Sequence, residues 1–201
     1  MTTRFRATAR LISSLLLASG LLIPLQARCE ESGWGMGLYS GVYYDTEPAS
    51  VFSPHTRYFR QYLLALHASK SLWRADALPL SVELEGVAGQ HFGIASLSEV
   101  ALAPAVRWEG FPWQESLPTY LRLAPLGVSY TSSISPLERG PTGQGSRTLN
   151  FLFIEIGTSF RSEAWHDVFL RLHHRCTIYD LLNDYGANGT DFLTLGFRTR
   201  F

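Results

Sequence analysis

Lysine is almost missing from this chain: Lys70 is the single one among 201 residues. With seventeen basic and seventeen acidic residues and no net charge, the sequence carries no electrostatic footprint for nucleic acid. Cysteine occurs only twice, at Cys29 and Cys176, too few for a disulfide-dense scaffold. Charged residues make up 17% of the chain, against about 25% in a typical soluble domain. Hydrophobic residues reach 46% and aromatics 13%, which excludes the low-hydrophobicity, high-charge signature of disorder. Beyond residue 27 there is no apolar run of eighteen residues, so the sequence offers no transmembrane helix there. Amphipathic helical patterns are poor as well.

The first 27 residues differ from the rest. Arg4, Arg6 and Arg10 form a basic start, an uncharged apolar run extends from Leu11 to Leu25, and Ala27 closes it with a small residue. This order of basic, apolar and small predicts a cleaved secretory signal over 1–27, with residues 28–201 as the mature chain. The apolar run is shorter than the ~20 residues a spanning helix needs. A lipid-modified Cys29 fits poorly, because Arg28 stands where such signals have a small residue. Without 1–27 the chain has fourteen basic and seventeen acidic residues.

What the mature chain does contain is strands. Eight β-rich segments are expected at about 34–45, 57–70, 79–91, 96–109, 118–131, 147–162, 165–177 and 190–201, separated by clusters of Gly, Pro, Ser and Asp. Most run well past the five or six residues usual for a soluble strand, and they match the length of tilted strands that cross a bilayer. An even number of such strands predicts an all-β fold: an eight-stranded antiparallel transmembrane β-barrel of the bacterial outer membrane. Trp34, Trp73, Trp108, Trp113 and Trp165 fall near expected strand ends, as an aromatic girdle requires.

The last strand alternates strongly. Leu193, Leu195, Phe197 and Phe201 occupy one face, with Thr199 the exception, and Thr194, Gly196, Arg198 and Arg200 occupy the other. A terminal strand ending in Phe resembles the signal read by the outer-membrane barrel assembly machinery. Alternation also sorts the charges. Glu83 and Glu85 share one face, as do Arg171, His173 and Arg175, while Glu99, Arg122 and Glu155 lie mid-strand. An arginine facing lipid near the midplane costs roughly 2–4 kcal/mol, so these groups are expected inside, paired. An eight-stranded interior is just wide enough to be filled by side chains, which predicts a plugged barrel rather than a pore.

Three ionisable residues break that sorting. On the 165–177 segment the even positions are Val168, Leu170, Leu172, His174 and Cys176, and on the last segment Asp191 shares the face of Leu193, Leu195 and Phe197. With the amino terminus in the periplasm, the 178–189 segment becomes an extracellular loop. His174, Cys176 and Asp191 then lie on the lipid-facing wall near the outer rim. Ionisable residues on such a face mark a candidate functional site; the bland alternative is that they rest among lipid headgroups. His55, His67, His91 and His166 show no metal-ligand spacing, and adjacent His173 and His174 face opposite sides of a strand, so no metal or cofactor is expected.

The stretch Arg171-Leu172-His173-His174-Arg175-Cys176, the loop after it, and Gly189-Thr190-Asp191-Phe192-Leu193-Thr194-Leu195-Gly196-Phe197-Arg198 through Phe201 resemble the carboxy-terminal part of the lipid A 3-O-deacylases, the PagL or acyloxyacyl hydrolase family. The resemblance implies an eight-stranded outer-membrane barrel with its active site on the outer wall. It implies hydrolysis of the ester-linked acyl chain at the 3 position of lipid A. The implied partners are lipid A of lipopolysaccharide in the outer leaflet and the barrel assembly machinery, with a homodimer left open. His174 matches the family's His. Cys176 stands in place of its Ser nucleophile, and Asp191 in place of its Glu. Thr177 follows the nucleophile where the family has Asn or Gly, so the family's oxyanion arrangement does not transfer.

Ester cleavage needs a nucleophile, a base within hydrogen-bond reach, and a group that orients the base. His174 and Cys176, two apart on a strand, share a face about 7 Å apart. Asp191 would hold the imidazole from the neighbouring strand, and a thiolate would form a thioester. Two other readings stay open: a barrel silenced by the Ser-to-Cys change and serving structure or adhesion, and an esterase or phospholipase for another outer-membrane lipid. A Cys29–Cys176 disulfide is not expected, since strand geometry separates the two by about 25 Å or more, beyond the ~7 Å limit between Cα atoms.

Overall fold

The structure, a computed structural model, describes residues 33–45, 51–161, 165–177 and 189–201. The expected signal segment 1–27, Cys29, and all of the 178–189 loop but its last residue lie outside these residues. Among the described residues nine strands make one sheet: β1 (Trp34–Tyr44), β2 (Tyr58–Arg74), β3 (Leu80–Gly93), β4 (Leu97–Trp108), β5 (Thr119–Ala124), β6 (Val128–Thr131), β7 (Thr148–Arg161), β8 (Trp165–Cys176) and β9 (Thr190–Arg200). All neighbours are antiparallel, and β1 pairs with both β2 and β9, so the sheet closes. Both β5 and β6 lie between β4 and β7. They are two halves of one stave, and the result is a closed eight-stranded antiparallel barrel, as the periodicity predicts.

The break in that stave has a local cause. Pro125 has no N–H to give to a ladder, and residues 125–127 bulge out of register between β5 and β6. Two hydrogen bonds tie the bulge to β7: Phe151 N donates to Gly127 O at 3.2 Å, and Gly127 N donates to Asn150 Oδ1 at 3.0 Å.

The wall alternates as a two-sided strand must. On β4, residues Ser98, Val100, Leu102, Pro104 and Val106 are exposed while Leu97, Glu99, Ala101, Ala103, Ala105 and Arg107 are buried. Exposed aliphatic and aromatic side chains cover the outside, including Leu64, Leu66, Val100, Leu102, Ile154, Ile156, Leu195 and Phe197. This is the face a barrel presents to lipid.

The interior holds the charges. Arg122 contacts Glu83 and Glu85 at 2.7 Å each and Glu155 at 3.2 Å. Arg171 meets Glu85 at 2.5 Å and also binds Glu155. Arg198 joins Glu155 at 3.0 Å and Asp167 at 2.8 Å. Arg171 also lies over the rings of Tyr39 and Phe153, 4.6 and 4.2 Å from their centroids. Such pairs add little net stability against an apolar core, but loss of one partner strands a buried charge. Small wall residues make room for the large ones. A Cβ on Gly157 would stand 2.5 Å from the Tyr120 hydroxyl. Alternation expects Glu83, Glu85, Glu99, Arg122, Glu155, Arg171, His173, Arg175, Arg198 and Arg200 inside; all but Arg200 are buried there, and Arg200, at the strand end, is partly exposed and pairs with Asp167 at 3.1 Å.

The two ends differ. Gly33 and Phe201 mark the terminal end, where Trp34 N donates to Phe201 O at 3.1 Å. All five tryptophans lie toward this end: Trp34 and Trp165 begin strands, Trp73 and Trp108 end them, and Trp113 is in the connection from β4 to β5. The expected girdle is therefore a belt at one rim. The far end is covered by the 132–147 connection, where a 3-10 turn (Pro136–Glu138) buries Glu138.

Candidate functional site

His174, Cys176 and Asp191 come together on the outside of the barrel at the far end. β8 and β9 pair so that His174 lies directly across from Asp191. In-register neighbours in an antiparallel pair have Cβ atoms about 4.5–5.5 Å apart, close enough for the short Asp side chain to reach. His174 Nδ1 donates to Asp191 Oδ1 at 2.6 Å. That bond occupies Nδ1 and leaves Nε2 as the free edge of the ring. Cys176 follows two residues along the same face of β8. The order is acid, imidazole, thiol.

The trio is half sheltered. The His174 side chain is 16% exposed, and Asp191 is 8% exposed although it faces outward. Gly189 provides part of the cover: a Cβ there would fall 2.7 Å from Arg175 O and 3.1 Å from His174 Cε1. Only a residue without a side chain lets the chain enter β9 this close to the ring.

Two contributors are not signalled by any motif. The first is Asn150, at the start of β7 and paired in register with Cys176. Its Nδ2 donates to Cys176 Sγ at 3.7 Å. A signal existed: Asn150 is a polar residue on a face whose next members are Leu152, Ile154 and Ile156. The second is Glu138. It accepts from Arg175 Nη1, and from Thr190 Oγ1 at 2.9 Å. Arg175 lies between His174 and Cys176 but faces the lumen, so this contact anchors the end of the strand that carries both. No pattern in the sequence links a loop acid to a strand 37 residues away.

The neighbouring His173 points inward, as alternation requires. Tyr39 Oη meets its Nδ1 at 3.0 Å, and Glu99 lies 3.3 Å from its Nε2. Among the described residues no group of three or more His, Cys, Asp or Glu side chains is placed to hold a metal ion.

On the outer wall, one row toward the terminal end from Asp191, a shallow groove begins. Val42 pairs with Leu193 and Tyr44 with Asp191, so the groove and the trio share adjacent rows. Ser40 gives it a low floor, between Val42, Tyr62, Phe92, Leu193 and Leu195. Its lining is mainly apolar and suits a hydrocarbon chain.

No protein-family model and no characterised protein sequence matches the chain. Among solved structures the barrel is similar to the outer membrane enzyme PagL, with 17% identity, coverage of 82% of this chain and 97% of that one, and a TM-score of 0.54. It also aligns with Neisserial surface protein A, NspA, at 14% identity over 86% of this chain and 100% of that one, with a TM-score of 0.48. At these identities the likeness is one of architecture: the chain has the fold of the eight-stranded outer-membrane barrels.

Proposed function

We propose that this chain is an outer-membrane ester hydrolase that removes the 3-O-linked acyl chain of lipid A, with Cys176 as nucleophile, His174 as base and Asp191 as the group that orients the base. The observation that carries this reading is the Asp191–His174 hydrogen bond at 2.6 Å on the lipid-facing wall, with Cys176 two residues from His174 on the same face of β8. The charges of the lumen are buried and paired with one another; this pair is outside and next to a thiol.

The chemistry follows from the geometry. His174 takes the thiol proton at Nε2 while Asp191 stabilises the imidazolium through Nδ1. The thiolate attacks the ester carbonyl carbon, and the carbonyl electron pair moves to oxygen. Collapse of that intermediate restores the carbonyl, forms the thioester, and expels the sugar oxygen, which receives the proton from His174. A water then gives a proton to His174 and attacks the thioester. The second collapse expels the thiolate, which recovers its proton, and releases a free fatty acid. The groove below the trio would hold the acyl chain, and the barrel would sit with its far rim outward, so that the trio meets the outer leaflet.

The test is the mass spectrum of lipid A from cells expressing this chain or its Cys176→Ala variant. Loss of one hydroxyacyl chain only with Cys176 intact is the expected result. Unchanged lipid A in both strains, with the barrel folded in the outer membrane, would overturn it.

A further inference from the structure

We infer that Asn150 is the charge-stabilising donor of this site: its side-chain amide stabilises the Cys176 thiolate and then the oxyanion that forms on attack. The inference rests on the hydrolase reading and supplies the component that the trio lacks. A nucleophile and a base do not hold the negative charge that develops on the carbonyl oxygen. Preorganised donors do, and removal of one typically costs ~10²–10³ in turnover.

Three observations support it. Asn150 is buried to 2% exposure although it belongs to the outward face of β7. Its orientation is fixed, because Gly127 N donates to Oδ1 at 3.0 Å. An oxygen held by a donor leaves the amide nitrogen on the other side, and Nδ2 there donates to Cys176 Sγ at 3.7 Å. The bulge at 125–127 supplies that N–H. A regular stave would commit the Gly127 amide to the ladder. Bulges next to active sites commonly re-aim a group in this way.

The placement also fits the reaction. When Sγ bonds to the carbonyl carbon, the oxyanion lies one bond from that carbon, hence within a few ångströms of sulfur. An N–H aimed at sulfur from 3.7 Å reaches this region without rearrangement. Asn150 enters from β7 while Asp191 enters from β9, so donor and orienting acid flank the β8 nucleophile from opposite strands.

Two variants separate this role from a structural one. Asn150→Asp keeps an oxygen for Gly127 N but has no donor for sulfur; Asn150→Leu removes both. Each is purified as a folded barrel, verified by its gel mobility without heating, and assayed twice. The first assay is the pH profile of Cys176 alkylation by iodoacetamide, read by peptide mass. The second is lipid A deacylation in mixed micelles. The expected result is a midpoint moved to higher pH in both variants, with kcat lowered ~10²–10³-fold and KM little changed.

If either variant keeps turnover within threefold of the wild type, the donor role is overturned while the hydrolase reading stands. If the wild type itself does not act on lipid A, the hydrolase reading falls and the alkylation profile decides the rest. A shifted midpoint then supports Asn150 as the donor to sulfur, and an unshifted one overturns it.

Discussion

Arg175 and Glu138 meet inside the far mouth of the barrel, and this contact holds the stretch of β8 that carries His174 and Cys176 on its other side. The guanidinium is fully buried and the carboxylate nearly so. Arg175 Nε also donates to Ser129 Oγ at 2.9 Å, which links the same anchor to β6 beside the bulge.

Replacement of Glu138 by Gln should therefore loosen the far end more than its loop position suggests. Removal of one partner from a buried ion pair costs about 3–5 kcal/mol. The expected outcome is a lower temperature for loss of the compact gel form, together with reduced deacylation. A variant with unchanged melting and turnover would show that the anchor is dispensable.

Asp191 can be varied in two directions. Asp191→Asn keeps the shape but turns the wrong group toward Nδ1, and in triads of this kind the corresponding change costs about 10⁴-fold. Asp191→Glu adds a methylene to a contact that already closes at 2.6 Å, and should displace the ring. Both are expected to lower kcat with little effect on stability, because the pair lies on the outer wall and not in the lumen network. A parallel loss of folding would point to a structural role for the pair.

The one-sided tryptophan belt can be observed by fluorescence. In barrels inserted in one orientation, an aqueous quencher on the side of the termini should reduce the emission, and the same quencher on the far side should have little effect. Equal quenching from both sides would contradict the placement of Trp34, Trp73, Trp108, Trp113 and Trp165 at one rim.

The barrel was legible because two independent signals agree along each strand. Alternation set the faces, and the expense of charge in lipid set which face is inside. Arg171, Glu155 and Glu85 follow from that rule without any knowledge of their partners. The split of the 118–131 segment was less visible, since Pro125 and Gly127 can end a strand or merely bend one. His174, Cys176 and Asp191 stood out as exceptions to the same rule. Asn150 broke it too, but a neutral amide at a strand end attracts less notice than a charge. Glu138 was illegible because its contact depends on how a loop folds back, and periodicity does not encode that.

The solid lumen has a consequence for how such a protein would meet its substrate. Among the described residues no segment threads through the barrel, and the trio opens sideways onto the wall. On the proposed reading a lipid would arrive by lateral diffusion within one leaflet, and the quantity that governs encounter would be its mole fraction among neighbouring lipids rather than its molarity. Diluting the membrane with inert amphiphile should slow the reaction even when protein and substrate are present in the same total amounts.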